Sequence, residues 1–213
     1  MSSRHKIIFL IGMHRCGTSL LTNCLVENGF DIGRSKNTDI DWQNPNGYFE
    51  NDSFTHFHEN LLKYNNSDWC HINKEKMSYN ELHVTEYRKL LIHEFNNEKI
   101  IVIKDPRLTF FVDFLKDVCK DNYDPYFIFI TRDKKECCIS LSKAQNIKIN
   151  ISENLYDITM KHYSKEYLLL IHRDILYNND SVMNRIKMFC NLKHNIINTC
   201  HIVDLKLYRN KNN

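Results

Sequence analysis

Between Gly12 and Ser19 the chain reads Gly-Met-His-Arg-Cys-Gly-Thr-Ser, so two glycines frame one arginine and the segment ends on two hydroxyls. That is the length and composition of a phosphate-binding loop. Backbone amides cradle an anion there, the start of the following helix adds positive dipole, and Thr18 and Ser19 donate hydrogen bonds to the same oxygens. His14, Arg15, Cys16, Gly17, Thr18 and Ser19 are therefore the candidate anion-binding residues. A nucleoside-triphosphate enzyme carries lysine where this chain has Thr18, and here the cation comes earlier, as Arg15. The loop thus fits an anion other than the γ-phosphate of ATP. A plainer reading, in which Gly12 and Gly17 only shape a tight turn, gives Arg15, Thr18 and Ser19 no work at a helix terminus.

Such a loop has meaning only between a strand and a helix, and the flanking sequence predicts both. Residues 6–11 form a continuous β-favouring run, and Leu20, Leu21, Cys24 and Leu25 then recur at helical spacing with Gly29 as a stop. Further strands are predicted at 100–103, 126–130 and, more weakly, 168–172, with helices at about 110–120 and 133–146. Residues 50–97 are polar with helical tendency at 51–65 and 82–96, and Val182, Ile186 and Phe189 mark a last amphipathic helix. This alternation predicts an α/β fold, a three-layer sandwich with a central parallel sheet and P-loop NTPase-like topology. Ligand sites then belong at the carboxyl ends of the strands. At 213 residues the chain is expected to be one domain, with about 42–97 as an acceptor-binding or lid region.

Composition removes several classes. A net charge of +3 with no basic stripe argues against nucleic acid as a partner. The apolar run before Gly12 is too short for a signal peptide or membrane anchor, so no membrane insertion and a cytoplasmic location are expected. The eight cysteines lack paired zinc or redox spacing and read as reduced thiols, with Cys137 and Cys138 as packing positions. His14, His56 and His58 read as polar surface residues rather than catalysts. His56 and His58 lie two apart, unlike an i, i+4 zinc pair, so no metal is expected.

The segment GMHRCGTSLL resembles the 5'-phosphosulfate loop of sulfotransferases, which use 3'-phosphoadenosine 5'-phosphosulfate (PAPS) as sulfuryl donor and release adenosine 3',5'-bisphosphate. NPNGYFEN (44–51), KDPRLT (104–109), ITRDKKECCISLSK (130–143) and IHRDIL (171–176) follow in the order of the bacterial-type branch of that family. The resemblance runs over residues 6–209. It implies that Arg132 and Ser140 bind the 3'-phosphate, a role suited to the bidentate fork of a guanidinium. Two features depart from the eukaryotic cytosolic branch. Its glycine-rich nucleotide cap is not visible, and Pro106 stands where that branch has its histidine base.

Sulfuryl transfer resembles phosphoryl transfer in needing in-line positioning and neutralisation of the leaving oxygen, which makes Arg15 and Lys104 the catalytic cations. With the histidine absent, Glu50 and Asp105 are the candidate bases. Glu50 is favoured, while Asp105 has the alternative of a structural bond to Arg107. The acceptor is expected to be a small molecule or carbohydrate, with Trp42 and Trp69 either packing the core or stacking on it. A P-loop nucleotide kinase and a catalytically inactive nucleotide-binding module are the competing functions.

Overall fold

The opening apolar run forms strand β1 (His5–Gly12), in which Ile7 to Ile11 are fully buried. Burying an aliphatic side chain of this size contributes about 1.5–3 kcal/mol, so this strand anchors the core. The computed structural model describes residues 4–37, 39–40, 47–74, 76–95, 100–193 and 196. Trp42, Cys200, the first residues of the 44–51 motif and the tail to 209 lie outside them.

From β1 the chain enters helix α1 (Thr18–Glu27), whose Leu21, Cys24 and Leu25 face the core. It ends in a Schellman-type closure, with Phe30 N–H donating to Leu25 O and Gly29 N–H to Val26 O. Two short antiparallel strands follow, β2 (Lys36–Asn37) and β3 (Glu50–Asn51). Helices α2 (Asp52–Tyr64) and α3 (Glu81–Glu94) lead to strand β4 (Ile101–Lys104), then to a 3-10 turn over Pro106–Phe111 and helix α4 (Val112–Cys119). Strand β5 (Tyr123–Thr131) feeds α5 (Lys134–Gln145) and α6 (Ile149–Lys161). The last described elements are β6 (Leu168–Ile171), α7 (His172–Tyr177) and α8 (Asn179–Phe189).

The four longer strands form one parallel sheet in the order β4-β1-β5-β6, flanked by helices as the sequence predicts. β5 begins three residues earlier than its apolar run. Pro125 fits there because pairing with β6 starts only at Ile128, so the proline has a neighbouring strand on one side alone. The chain leaves β1 for β4 on one flank and returns to β5 on the other. That reversal opens a crevice beyond the carboxyl end of β1.

Residues 50–97, read from sequence as a covering layer or lid, form a packed layer where they are described. Phe57 stacks on Phe114 with ring centroids 5.8 Å apart, and Tyr87 lies 5.0 Å from Phe54 and 5.2 Å from Phe114. These rings lock α2 and α3 onto α4. Among the described residues no helix is long and apolar enough to cross a membrane.

Candidate active site

Each strand of the parallel sheet delivers polar residues just past its carboxyl end: the Gly12–Ser19 loop from β1, Lys104 and Asp105 from β4, Arg132 from β5 and His172 from β6. The loop is tightly bound into the sheet. Gly12 N–H donates to Thr109 Oγ1 at 2.8 Å, and that hydroxyl donates back to Gly12 O at 3.3 Å. Gly12 has φ 135°, and a side chain there would collide with the Ile130 carbonyl oxygen on β5. Gly17 has φ 92°, and a Cβ at this position would run into the His172 ring. Both glycines therefore serve a left-handed backbone and a close approach at once. The amino end of α1 carries no side-chain capping bond and follows the carboxyl end of β1, where an anion site belongs.

Two clusters of charge border the loop. In the first, Arg15, itself at φ 67°, donates from Nε to Ser140 Oγ at 3.3 Å, while Arg132 donates to the Arg15 carbonyl at 3.1 Å. Arg132 also pairs with Glu136 one turn along α5 at 3.1 Å. The two residues expected at a second phosphate thus meet at Arg15, one through its side chain and one through its backbone. Beneath them Cys137 donates from Sγ to His14 O at 3.1 Å and lies 3.4 Å from Cys16 Sγ. The seven described cysteines are buried free thiols. Cys137 adds to its packing role a hold on the loop that its sequence context does not reveal.

The second cluster surrounds Glu50. Lys104 Nζ lies 2.7 Å from Glu50 Oε1, and Arg107 is 3.6 Å from Oε2. Asp105 is buried and fully used: its carboxylate accepts from Arg107 N–H at 2.9 Å and Arg107 Nε at 2.8 Å, and sits 2.8 Å from His58 Nδ1. Burial by itself would raise the Asp105 pKa, but the Arg107 guanidinium and the His58 bond hold the carboxyl below the usual range. Arg107 also reaches Glu59 at 3.1 Å, so one guanidinium ties three acids together. The KDPRLT motif is read out in full: Lys104 holds Glu50, Asp105 and Arg107 hold each other, and Thr109 holds the loop.

His58 departs from its expected surface position. It is fully buried on the inner face of α2, and its Nε2 lies 3.1 Å from the Tyr87 hydroxyl. With the proton on Nδ1, the ring donates to Asp105 and accepts from Tyr87, which satisfies both nitrogens. The contact that draws His58 inward comes from residue 105, far along the chain. His56 on the same helix is exposed as expected. His14 is half-buried between the clusters; desolvation first, and then the charge of Arg107, pull its pKa down to about 3. His172, missed as a site residue, is likewise lowered to about 3 by burial and by Arg132. Both imidazoles therefore stand neutral beside the loop at ordinary pH.

Glu50 owes its position to a buried acid whose importance the sequence does not announce. Glu94 at the end of α3 accepts from Ser35 N–H at 2.8 Å, Ser35 Oγ at 2.7 Å, Ser53 Oγ at 2.7 Å and Asn51 Nδ2 at 2.8 Å. Asn51 is the neighbour of Glu50 in β3 and the amino cap of α2. Burial works to raise the Glu94 pKa, but these donors win and bring it from 4.5 down to about 2. Stability from this difference is complete above the unfolded value of 4.5 and is lost as pH falls toward 2. Glu94→Gln is expected to cost about 3 kcal/mol at pH 7 and progressively less below pH 4, read by urea unfolding across pH. An equal cost at both ends of that range would refute the assignment.

A groove of about 500 Å³ opens between Ile72 and Lys74 on one wall and Ile158, Lys161 and His162 on the other. Residues close in sequence to both walls touch the loop. Trp69 packs edge-on against His14 with centroids 5.4 Å apart, and Thr159 Oγ1 lies 3.7 Å from Met13 Sδ. That size is ordinary for a small-molecule site.

The fold is one already seen. The structure is similar to the sulfotransferase domain from the Synechococcus PCC 7002 olefin synthase, with a TM-score of 0.57, 12% identity, and coverage of 99% of this chain and 86% of that one. It is also similar to the sulfotransferase domain from the curacin biosynthetic pathway, with a TM-score of 0.53, 14% identity, and coverage of 91% and 76% respectively. No protein-family model and no curated protein sequence matches the chain. At these identities the likeness defines the class of fold, a P-loop-like α/β architecture shared with sulfotransferase domains.

Proposed function

We propose that this chain transfers a sulfuryl group from PAPS to a hydroxyl or amine acceptor. The observation that carries the reading is the convergence of Arg15, Arg132 and Ser140 beside an uncapped helix start whose loop lacks the Walker lysine. The shared fold of sulfotransferase domains supports it. In this reading the amides of Thr18 and Ser19, with Arg15, hold the 5'-phosphosulfate, and Arg132 with Ser140 holds the 3'-phosphate. The acceptor is assigned to the groove lined by Lys74 and Lys161, whose positive charge suits a saccharide bearing acidic groups.

Chemically, the acceptor oxygen or nitrogen attacks sulfur in line, its bond to sulfur forms as the bond from sulfur to the phosphate oxygen breaks, and adenosine 3',5'-bisphosphate leaves. Glu50 takes the acceptor proton, and the cations of the crevice offset charge on the departing oxygen. Asp105 is too fully engaged to act as the base, so its place is that of a positioning residue.

Calorimetric titration with adenosine 3',5'-bisphosphate, AMP and ATP with magnesium tests the donor site. The bisphosphate is expected to bind best, and Arg132→Ala to weaken it about ten- to a hundredfold while leaving AMP little changed, the loss of a charge-assisted bond to phosphate. Equal or better binding of ATP would replace this reading with that of a kinase. Tight bisphosphate binding without turnover on any acceptor would reduce the chain to a nucleotide-binding module.

A further inference from the structure

Outside the crevice, the short turn Asp68-Trp-Cys-His71 gathers three different metal-ligating side chains. Cys70 Sγ lies 3.2 Å from His71 Nδ1 and 3.3 Å from Asp68 Oδ1, and His71 Nδ1 lies 3.0 Å from Asp68 Oδ2. The turn is fixed by its backbone. Asp68 Oδ1 accepts the amides of Cys70 at 2.9 Å and His71 at 2.8 Å, and Asp68 N–H closes the turn on His71 O at 3.0 Å. Asp68 Oδ1 is thus engaged by backbone amides as well as by Cys70, while Oδ2 contacts His71 Nδ1, and one ligand atom from each of the three side chains lies within 4.8 Å of the others.

We propose that Asp68, Cys70 and His71 form a site for a thiophilic divalent cation of the zinc type, with its remaining coordination position open to water. A tetrahedral zinc bound at roughly 2.0–2.1 Å to nitrogen and oxygen and about 2.3 Å to sulfur separates its ligand atoms by roughly 3.3–3.6 Å. The two separations from His71 Nδ1, 3.2 Å to Cys70 Sγ and 3.0 Å to Asp68 Oδ2, need to open by only a few tenths of an ångström to reach that spacing. A thiolate, an imidazole and one carboxylate select zinc, or cobalt as its spectroscopic substitute, over magnesium and calcium, which take oxygen ligands. Binding replaces the thiol proton and the hydrogen bonds within the triad with bonds to the metal. Asp68 and His71 are both more than half exposed, so the ion enters from solvent without opening the core. Trp69, between the ligands in sequence, packs against His14 and so ties the turn to the anion loop. The site rests on these ligands alone and is independent of the sulfuryl-transfer reading.

The test is titration of the reduced, metal-free full chain with cobalt(II), followed by visible and near-ultraviolet absorption. One equivalent is expected to give the intense visible bands of four-coordinate cobalt and a sulfur-to-metal charge-transfer band, both abolished by added zinc. Cys70→Ser is expected to lose the charge-transfer band. His71→Ala, which changes an exposed ring and leaves the core intact, is expected to lose the four-coordinate visible bands. Absence of these bands in the wild type, or their survival unchanged in either variant, would overturn the site.

Discussion

Glu50→Gln is expected to cut turnover by about a hundredfold or more while leaving affinity for adenosine 3',5'-bisphosphate intact, as loss of a general base does. The amide keeps the size of the side chain and still accepts from Lys104 Nζ, which stands 2.7 Å from Oε1 in the native pair. What disappears is the capacity to take a proton from the acceptor. Some stability goes as well, because Lys104 is buried and loses its charged partner. The two effects separate in measurement: a base changes kcat with bound nucleotide, whereas weakened packing shows in Tm. Turnover within a few-fold of the wild type would remove Glu50 from the chemistry and leave it as a strut between Lys104 and Arg107.

The second large effect belongs to Asp105 and is on the fold. Asp105→Ala takes away the carboxylate that receives the backbone amide and Nε of Arg107 and pairs with His58. It leaves a buried guanidinium short of charge and a fully buried imidazole with an orphaned nitrogen. Breaking one partner of a buried pair costs about 3–5 kcal/mol, which in a domain of this size lowers Tm by roughly 10 °C or more, readable by circular dichroism. A variant that keeps its Tm but loses turnover would make Asp105 the base and Glu50 the positioning residue.

Much of this arrangement is legible in the chain. The β-favouring run at 6–11, apolar from Ile7 to Ile11, reads as a strand buried on both faces, and the switch to helical spacing after Gly17 places an anion loop between strand and helix. The helix from Lys134 begins where Asp133 caps it, accepting from Glu136 N–H at 3.0 Å. Helix α6 escapes the same reading. Its cap position, Lys148, makes no side-chain capping bond, and the buried Ser152 and Thr159 interrupt its apolar face. Helix α7, with six residues, is too short to display a period.

Local sequence determined the elements that short-range sterics and periodic burial dictate: the strands of the parallel sheet, the loop, and the order in which polar residues leave the strand ends. Tertiary structure alone decided their partners. His58 looks like a surface residue until Asp105 receives it, and Glu94 like a solvated helix charge until Ser35, Asn51 and Ser53 surround it. Buried polar groups must be paired, and the groups that pair them are set by how the sheet brings distant segments together, which no local window of sequence contains.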